Sequence, residues 1–255
     1  NNAKQLQNIA AQISSGKRIQ SAADDPAGVG ILSSLKVQSS GLSAVTKNIS
    51  AGTSLLETSD KALASQQNII SAMKDLAVQA SSKILSTDQR AALQSSFAEY
   101  QKQLTATADG ATLFGTNLLN ASATSTSIQV GTKAGDTFTV TAAKSDAVTL
   151  GVDAATIDLT DTTKAAAALT ALDTASATVA TNQSTIGTQL TGLSRTQDNI
   201  TSAQKSVSAS ISRIEDADVA ELSGQLTLLQ GKQQLLSSTL GIVNQFPQYL
   251  LSLIR

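Results

Sequence analysis

Side chains that commonly perform chemistry in proteins are scarce in this chain of 255 residues. It contains no histidine and no cysteine, so the commonest general base, the commonest metal ligand and any thiolate nucleophile are missing. The densest group of carboxylates is Glu215, Asp216, Asp218 and Glu221. A calcium loop needs spaced oxygen ligands around a glycine turn, and this stretch has neither the glycine turn nor the required spacing. We interpret it as a helix start or kink, where acidic residues are favoured.

A second candidate for chemistry is the glycine pair Gly28 and Gly30. A dinucleotide-binding loop needs three glycines between a strand and a helix, and here both the third glycine and the strand are missing. The 18 basic and 19 acidic residues nearly cancel, which argues against nucleic-acid binding by charge. We therefore predict that the chain is not an enzyme and has no catalytic, metal or cofactor-binding residues.

The composition also limits how a core can be built. Aromatic residues make up 2% of the chain, whereas hydrophobic residues as a whole make up 41%. Buried area must therefore come from aliphatic side chains. The first residues lack the basic start and apolar run of a secretory signal, and no stretch is long and apolar enough to predict insertion into a membrane.

Aliphatic residues recur every seven positions in two long stretches, which favours long helices packed along their length. The first row is Leu42, Ile49, Leu56, Leu63, Ile70 and Ala77, with a mixed companion row of Val45, Gly52, Ser59, Gln66, Met73 and Ala80. The second is Leu172, Val179, Ile186, Leu193, Ile200, Val207 and Ile214. Their similar lengths predict two antiparallel rods, near Gln38–Ser82 and Lys164–Arg213.

A shorter helix is predicted at Thr87–Ala108, where Ser86 and Gln89 fit a capping box. Between Ala111 and Thr163 the period changes to alternation. Ser127–Val130 and Thr137–Thr141 predict a β-hairpin, and Ala147–Leu150 with Thr156–Leu159 suggests a second pair. The expected fold is mainly α, with long antiparallel helices in a coiled-coil-like bundle and a small insert rich in β-hairpins.

The C-terminal segment carries a third apolar stripe. Pro247 cannot donate a backbone hydrogen bond, so the helix is expected to end near Gln245. The N-terminal residues Leu6, Ile9 and Ile13 are too few to cover such a stripe, which therefore needs another partner. Its members are Leu222, Leu226, Leu229, Leu236, Leu240, Val243 and Leu250.

These patterns divide the chain into six expected segments. The ends are a short N-terminal helical segment at 1–13 and a C-terminal helix at 218–255. Between them lie a linker at 14–34, the first rod with the short helix at 35–110, a small β-rich central region at 111–163 and the returning rod at 164–217.

Several motifs at both ends of the chain resemble those of bacterial flagellin. Near the start stands Ile13-Ser-Ser-Gly-Lys-Arg-Ile-Gln-Ser-Ala-Ala-Asp-Asp25, similar to the family's L-S-S-G-x-R-I-N-S-A-A-D-D. Asp75-Leu-Ala-Val-Gln79 resembles E-L-A-V-Q, and Leu113-Phe-Gly-Thr-Asn-Leu-Leu119 resembles F-N-G-x-x-L-L. Ser212-Arg-Ile-Glu-Asp-Ala-Asp218 matches S-R-I-E-D-A-D, and Asn244–Arg255 resembles the closing A-N-Q-x-P-Q-x-V-L-S-L-L-R.

The resemblance implies a structural subunit that polymerises into the flagellar filament for swimming motility, with the C-terminal stripe as the expected polymerisation surface between subunits. It also implies that 218–255 is a C-terminal inner helix and that residues 1–13 are a remnant of an N-terminal inner helix. It implies secretion through the flagellar type III apparatus without a cleaved signal, a place in the extracellular flagellum, and an export chaperone and a filament cap as partners besides other copies of the chain. The alternatives are a hook-filament junction protein, which shares the two ends, and another secreted coiled-coil surface protein.

The resemblance also implies a segment that faces an innate immune receptor, the flagellin-sensing Toll-like receptor. The corresponding residues are Ala72, Lys74, Asp75, Leu76 and Gln79. In the family an arginine stands three positions before the glutamate of E-L-A-V-Q, where this chain has Ala72. Alanine cannot make the bidentate or stacked contacts of a guanidinium, so we expect weak recognition.

Overall fold

A computed structural model describes residues 2–253 of the chain, with the side chains described through residue 241. It is mainly α-helical, as predicted. The helices are α1 Asn2–Ser15, α2 Pro26–Ala80, α3 Thr87–Gly110, α4 Thr162–Glu215 and α5 Val219–Leu253. The strands are β1 Thr112–Leu113, β2 Thr116–Asn117, β3 Thr126–Gln129 and β4 Thr137–Val140.

The chain divides into two compact units. The rod unit comprises Gly41–Ser202, and the paired-end unit comprises Asn1–Ser40 with Ala203–Arg255. Each unit therefore draws residues from both long helices α2 and α4.

Within the rod unit, α2 and α4 run antiparallel. Lys74 forms an ion pair with Asp173, and the amide nitrogen of Gln67 donates a hydrogen bond to Ser176 Oγ at 2.5 Å. Further along, Gly52 on α2 faces the side chain of Leu193 on α4. Along these contacts the residue numbers decrease on α2 while they increase on α4, so the predicted antiparallel pairing is confirmed.

The heptad rows form the core of the rod unit. Every member of the first row, Leu42 to Ala77, is buried, and so is every member of its mixed companion row. On α4, the four members from Leu172 to Leu193 are fully buried, and Ile200 packs partly buried against them. The period read from the sequence therefore identifies the buried face of both helices.

The short helix α3 completes this core. Its N-terminus has the predicted capping box, in which Ser86 Oγ accepts from the backbone of Gln89 and the Gln89 side chain accepts from the backbone of Ser86. Phe97 and Leu104 are fully buried. The helix continues to Gly110, two residues past its predicted end.

The region between α3 and α4 contains the predicted β3–β4 hairpin, whose antiparallel register pairs Ile128 with Phe138. It also contains a small ladder, β1–β2, that the sequence did not predict. The turn of this ladder is formed by Phe114 and Gly115, at φ angles of 51° and 75°.

The second predicted strand pair, Ala147–Leu150 with Thr156–Leu159, is wrong, because these residues form turns and irregular backbone. Aspartate side chains hold the turns: Thr149 Oγ1 donates to Asp146 Oδ1, and Thr156 Oγ1 donates to Asp153 Oδ1, each at 2.5 Å. Aspartate side chains compete in this way with strand ladders. The alternating pattern nevertheless identified core residues, since Ala147, Leu150, Val152, Ile157 and Leu159 are buried.

The helix α2 begins earlier than expected, inside the segment 14–34 interpreted as a linker. Its first residue is Pro26, and a proline is favoured at the first helical position because its missing N–H has no partner there anyway. Asp25 Oδ1 accepts from the Gly28 backbone at 2.8 Å and caps the helix. Gly28 and Gly30 are thus helical residues and form no phosphate loop.

The expected end of α5 near Gln245 is also wrong, since the helix continues through Pro247 to Leu253. A proline within a helix has no backbone N–H to donate, so α5 lacks one hydrogen bond of its ladder at this point.

Leu193 offers a test of the packing between α2 and α4. We expect Leu193→Asp to lower the free energy of unfolding by at least about 3 kcal/mol, because it removes apolar burial and places an unpaired carboxylate in the core. Ser194→Asp, at the exposed neighbouring position, should change it by less than about 0.5 kcal/mol. Thermal and denaturant unfolding monitored by circular dichroism measure both, and equal midpoints for the two variants would contradict the assignment.

Candidate subunit interface

The two ends of the chain pair as antiparallel helices. The Asn2 amide donates to the carbonyl of Leu229 at 3.2 Å, and the Ala217 backbone donates to the carbonyl of Gly16 at 3.0 Å. Between these points, Ile9 of α1 is buried and Leu6 and Ile13 are half-buried. The few apolar residues of α1 thus meet only the first part of α5.

The proposed polymerisation stripe on α5 is divided by this pairing. Leu229 is buried, and Leu222 and Leu226 are half-buried. Past Leu229, which lies opposite the start of α1, Leu236 is 55% exposed and Leu240 is 61% exposed. The side chains of Val243 and Leu250 lie outside the described residues. The structure therefore brings three stripe residues to α1 and leaves two in solvent.

Leucines left in water are unfavourable, since burial of each is worth about 1.5–3 kcal/mol. Leu228 and Leu235, on a neighbouring face of α5, are exposed as well. Among the described residues, no helix is both long enough and apolar enough to span a membrane.

A short polar joint fastens α1 to the end of α4. Lys17 and Asp216 form an isolated antiparallel bridge, and the Arg18 backbone donates to the carbonyl of Glu215 at 2.6 Å. The Arg18 guanidinium also donates to the carbonyl of Ile214 at 2.7 Å, a carbonyl near the end of α4. The joint therefore fixes where the chain leaves α1 and where it enters α5.

Glu215 is the electrostatic centre of this joint. Its side chain is nearly buried, and its Oε1 lies 2.7 Å from Lys17 Nζ and 3.0 Å from Lys36 Nζ. Hydrogen bonds from Lys17 and then Lys36 lower the pKa of Glu215, and the same contact raises the pKa of Lys17. No sequence pattern points to this site, because Lys36 and Lys17 lie about 180 and 200 positions before Glu215 in the chain.

The rest of the acidic cluster serves the start of α5, as interpreted from the sequence. Asp218 Oδ1 accepts from the backbone of Ala220 at 3.0 Å and of Glu221 at 3.1 Å, in the manner of an N-cap. In the part of the chain that the structure describes, no group of three or more potential ligands is placed to hold a metal ion.

The segment expected to face the immune receptor lies on α2 in the rod unit. Lys74, Asp75 and Gln79 are exposed, whereas Ala72 and Leu76 are half-buried. Leu76 packs against the core, and Lys74 is engaged in its ion pair with Asp173. The surface that α2 presents here therefore includes Lys74, Asp75 and Gln79, together with the edge of Ala72.

Comparison with known proteins gives two family matches. The model of the bacterial flagellin N-terminal helical region matches residues 1–124, and that of the C-terminal helical region matches residues 169–254. The flagellin of Listeria innocua is 31% identical over 96% of this chain and 90% of its own length. The flagellin of Halalkalibacterium halodurans is 30% identical over 100% of this chain and 93% of its own.

Solved structures agree with the sequence matches. The crystal structure of Bacillus cereus flagellin has a TM-score of 0.54 and 28% identity, covering 60% of this chain and 88% of that one. A putative flagellar hook-associated protein from Vibrio parahaemolyticus has a TM-score of 0.60 over 76% of this chain and 100% of that one. Its identity is 17%, so this similarity shows a common fold alone. With family models matching both end regions and flagellins aligned over nearly its whole length, the chain belongs to the bacterial flagellin family.

Proposed function

We propose that this chain enters the flagellar filament through its paired ends, with the exposed face of α5 as a main contact between subunits. As a flagellin, it is a structural subunit of the filament that drives swimming motility. The observation that carries the proposal is the stripe on α5, which α1 covers as far as Leu229 and which continues exposed at Leu236 and Leu240. Neighbouring copies, related by a screw operation, supply apolar surface to such a stripe without closing a ring.

The six expected segments receive distinct roles in this proposal. Residues 1–13 and 218–255 form the inner helices, and residues 16–25 of the segment 14–34 join α1 to α2. Those parts of the segments 35–110 and 164–217 that lie within Gly41–Ser202 give the rod unit its stable core, and 111–163 caps that core with hairpin and turns. Polymerisation then depends on Leu222, Leu226, Leu229, Leu236, Leu240, Val243 and Leu250.

Before assembly, the same stripe needs protection from water. An export chaperone that covers α5 meets this need, and a filament cap at the growing end releases the stripe to the preceding subunits. This order of events places the chain outside the cell, in the flagellum, after export through the flagellar type III apparatus.

Two leucines on α5 provide the direct test of the polymerisation stripe. We expect the double variant Leu236→Ser and Leu240→Ser to raise the critical concentration for seeded filament growth by at least about tenfold, because both side chains lose their burial in the filament. The monomer should keep its helix content, since both positions are exposed. Sedimentation of filaments and circular dichroism of monomers measure the two quantities.

A matched control is Leu228→Ser with Leu235→Ser, which removes two equally exposed leucines from a different face of α5. It should raise the critical concentration for seeded growth by less than the Leu236→Ser and Leu240→Ser double variant does. If the two double variants grow alike, general hydrophobicity and not this stripe drives assembly.

The receptor-facing segment gives a second test. We propose that Ala72, Lys74, Asp75, Leu76 and Gln79 form the surface read by the flagellin-sensing receptor, and that Ala72 weakens recognition. Ala72→Arg should increase the reporter-cell response about tenfold by adding a guanidinium that makes bidentate or stacked contacts. Ala72→Lys serves as the control for charge alone. Equal and strong responses from the parent and Ala72→Arg would refute this assignment.

The joint at Glu215 predicts a dependence on pH. Its pKa is lowered in the folded chain, so its stabilising contribution is complete above the ordinary pKa of glutamate and is lost as the pH falls through the folded value. Glu215→Gln should therefore speed amide hydrogen exchange at Arg18 and Ala217, whose N–H groups bond across the joint. The difference from the parent should be largest near neutral pH and should shrink in acid.

Hydrogen exchange followed by mass spectrometry measures this difference at each pH. Glu57→Gln, at an exposed carboxylate of α2, is the control and should leave exchange at the joint unchanged. A difference between parent and Glu215→Gln that is constant from neutral to acidic pH would show that the carboxylate charge does not hold the joint.

A further inference from the structure

A groove of about 410 Å³ lies in the rod unit between α3 and the turns at 147–154. We call it the α3 groove. Its floor is formed by Gln101, which is 5% exposed, whereas the carboxylates that line it, Asp109 on α3 and Asp153 on the turns, are exposed and half-buried. A volume of this size is in the range of sites that bind small molecules.

The two carboxylates lie toward opposite ends of the α3 groove. Gln101 Nε2 donates to the carbonyl of Val152 at 2.8 Å, so Asp153, the next residue, lies at the Gln101 end. Asp109 follows Gln101 by two turns of α3, which is roughly 12 Å along the helix axis at the standard rise. A ligand that contacts both carboxylates must therefore be long and narrow.

The middle of the α3 groove is apolar. The backbone of Ala147 donates to Thr105 Oγ1 at 3.4 Å, which holds the turn at 147–148 against the helix halfway between the two carboxylates. Ala106 and Val148 line the groove here, and Val148 is 70% exposed. An aliphatic chain lying along the groove would remove this surface from water.

The floor of the groove has an acceptor without a donor. The amide nitrogen of Gln101 is used by the carbonyl of Val152, but within the part of the chain that the structure describes, the buried Gln101 Oε1 has no hydrogen-bond partner. A buried polar atom left in this way is unfavourable. The floor therefore favours a ligand that brings an N–H or O–H group.

The charges around the groove are mainly negative. A hydrogen bond from Thr156 Oγ1 at 2.5 Å lowers the pKa of Asp153, which keeps this carboxylate ionised at neutral pH. Lys102 also lines the groove, but its ammonium donates to Glu99 Oε1 at 2.7 Å, one turn earlier on α3. Since Glu99 neutralises Lys102, the charges of Asp109 and Asp153 remain for a ligand.

This combination fits one class of cation better than the others. A metal ion of the calcium type needs six or more oxygen ligands, and among the described residues no group of three or more potential ligands is placed to hold one. A lysine or arginine side chain of another molecule has one cationic head and meets one carboxylate only. A linear diamine has a cation at each end and an aliphatic chain between them.

We infer that the α3 groove binds a linear aliphatic diammonium ion, the chemical class of the polyamines. One ammonium pairs with Asp153 and donates to Gln101 Oε1, which its three donors allow. The other ammonium pairs with Asp109, and the chain between them covers Ala106 and Val148. The site belongs to the folded rod unit, and it goes beyond the proposed function because it does not require a filament.

Binding is tested on the full chain with diaminooctane as the probe. Titration of the isotope-labelled protein should shift the nuclear magnetic resonance signals of the Gln101 side-chain amide and of the backbone at Asp109 and Asp153. Putrescine, which carries the same two charges on a shorter chain, should bind at least about threefold more weakly, because it reaches one carboxylate at a time. Magnesium at equal concentration should not displace diaminooctane.

The double variant Asp109→Asn with Asp153→Asn tests the two carboxylates. It should weaken diaminooctane binding at least about tenfold in calorimetry, because both ion pairs are lost. Its helix content should be unchanged, since an asparagine at position 153 still accepts from Thr156. The matched control, Glu57→Gln with Asp198→Asn, removes two exposed carboxylates of the rod unit outside the groove and should leave the affinity unchanged.

Thermal unfolding gives an independent measurement. Diaminooctane should raise the thermal midpoint of the parent and of the control variant but not of the groove variant, because a ligand stabilises only the folded chain that binds it. Unshifted signals at Gln101, shifts spread over carboxylates of the whole chain, or an equal loss of affinity in both double variants would each overturn the site. None of these measurements involves filament growth, so their failure is distinguishable from failure of the proposed function.

Discussion

Burial of aliphatic side chains between α2 and α4 is the interaction on which the rod unit depends. With almost no aromatic residues, the chain cannot concentrate buried area in a few large side chains. It spreads that area along helices of 55 and 54 residues, with about one small contribution for each helical turn. A seven-residue repeat is the pattern that keeps such contributions on one face, so the length of the helices follows from the composition.

Polar residues within this core determine what else packs on it. Gln66 occupies a fully buried position of the mixed row, and its amide donates to the carbonyls of Leu104 at 3.3 Å and Ser145 at 3.0 Å. Gln101 donates in the same way to the carbonyl of Val152 at 2.8 Å. A buried amide without these acceptors would be costly, so the two glutamines fix α3 and the turns after the hairpin against α2.

The sequence revealed those features whose physical cause is local. The heptad rows, the capping box at Ser86 and the hairpin at Ile128 and Phe138 follow from spacing or from adjacent residues. The turns at Asp146 and Asp153 were missed because their alternating apolar residues also fit strands, and only the aspartate hydrogen bonds decide between the two. The lysine contacts of Glu215 were missed because they join distant parts of the chain, and the exposure of Phe114 depends on the ladder around it. The seven-residue spacing of apolar residues located the stripe on α5, while the structure showed where α1 stops covering it.

The same repeat has opposite outcomes in the two units of the chain. In the rod unit every row that the sequence offers finds its partner within the chain, so this part can fold before assembly. On α5 the repeat continues past Leu229 into solvent, and in the proposed assembly the free energy of burying Leu236 and Leu240 comes from contacts with other subunits. A subunit that satisfied both repeats internally would have nothing to gain from polymerising, and one that satisfied neither would have no stable body to assemble. The division between a closed core and an open stripe therefore lets one chain be both a folded unit and part of a filament.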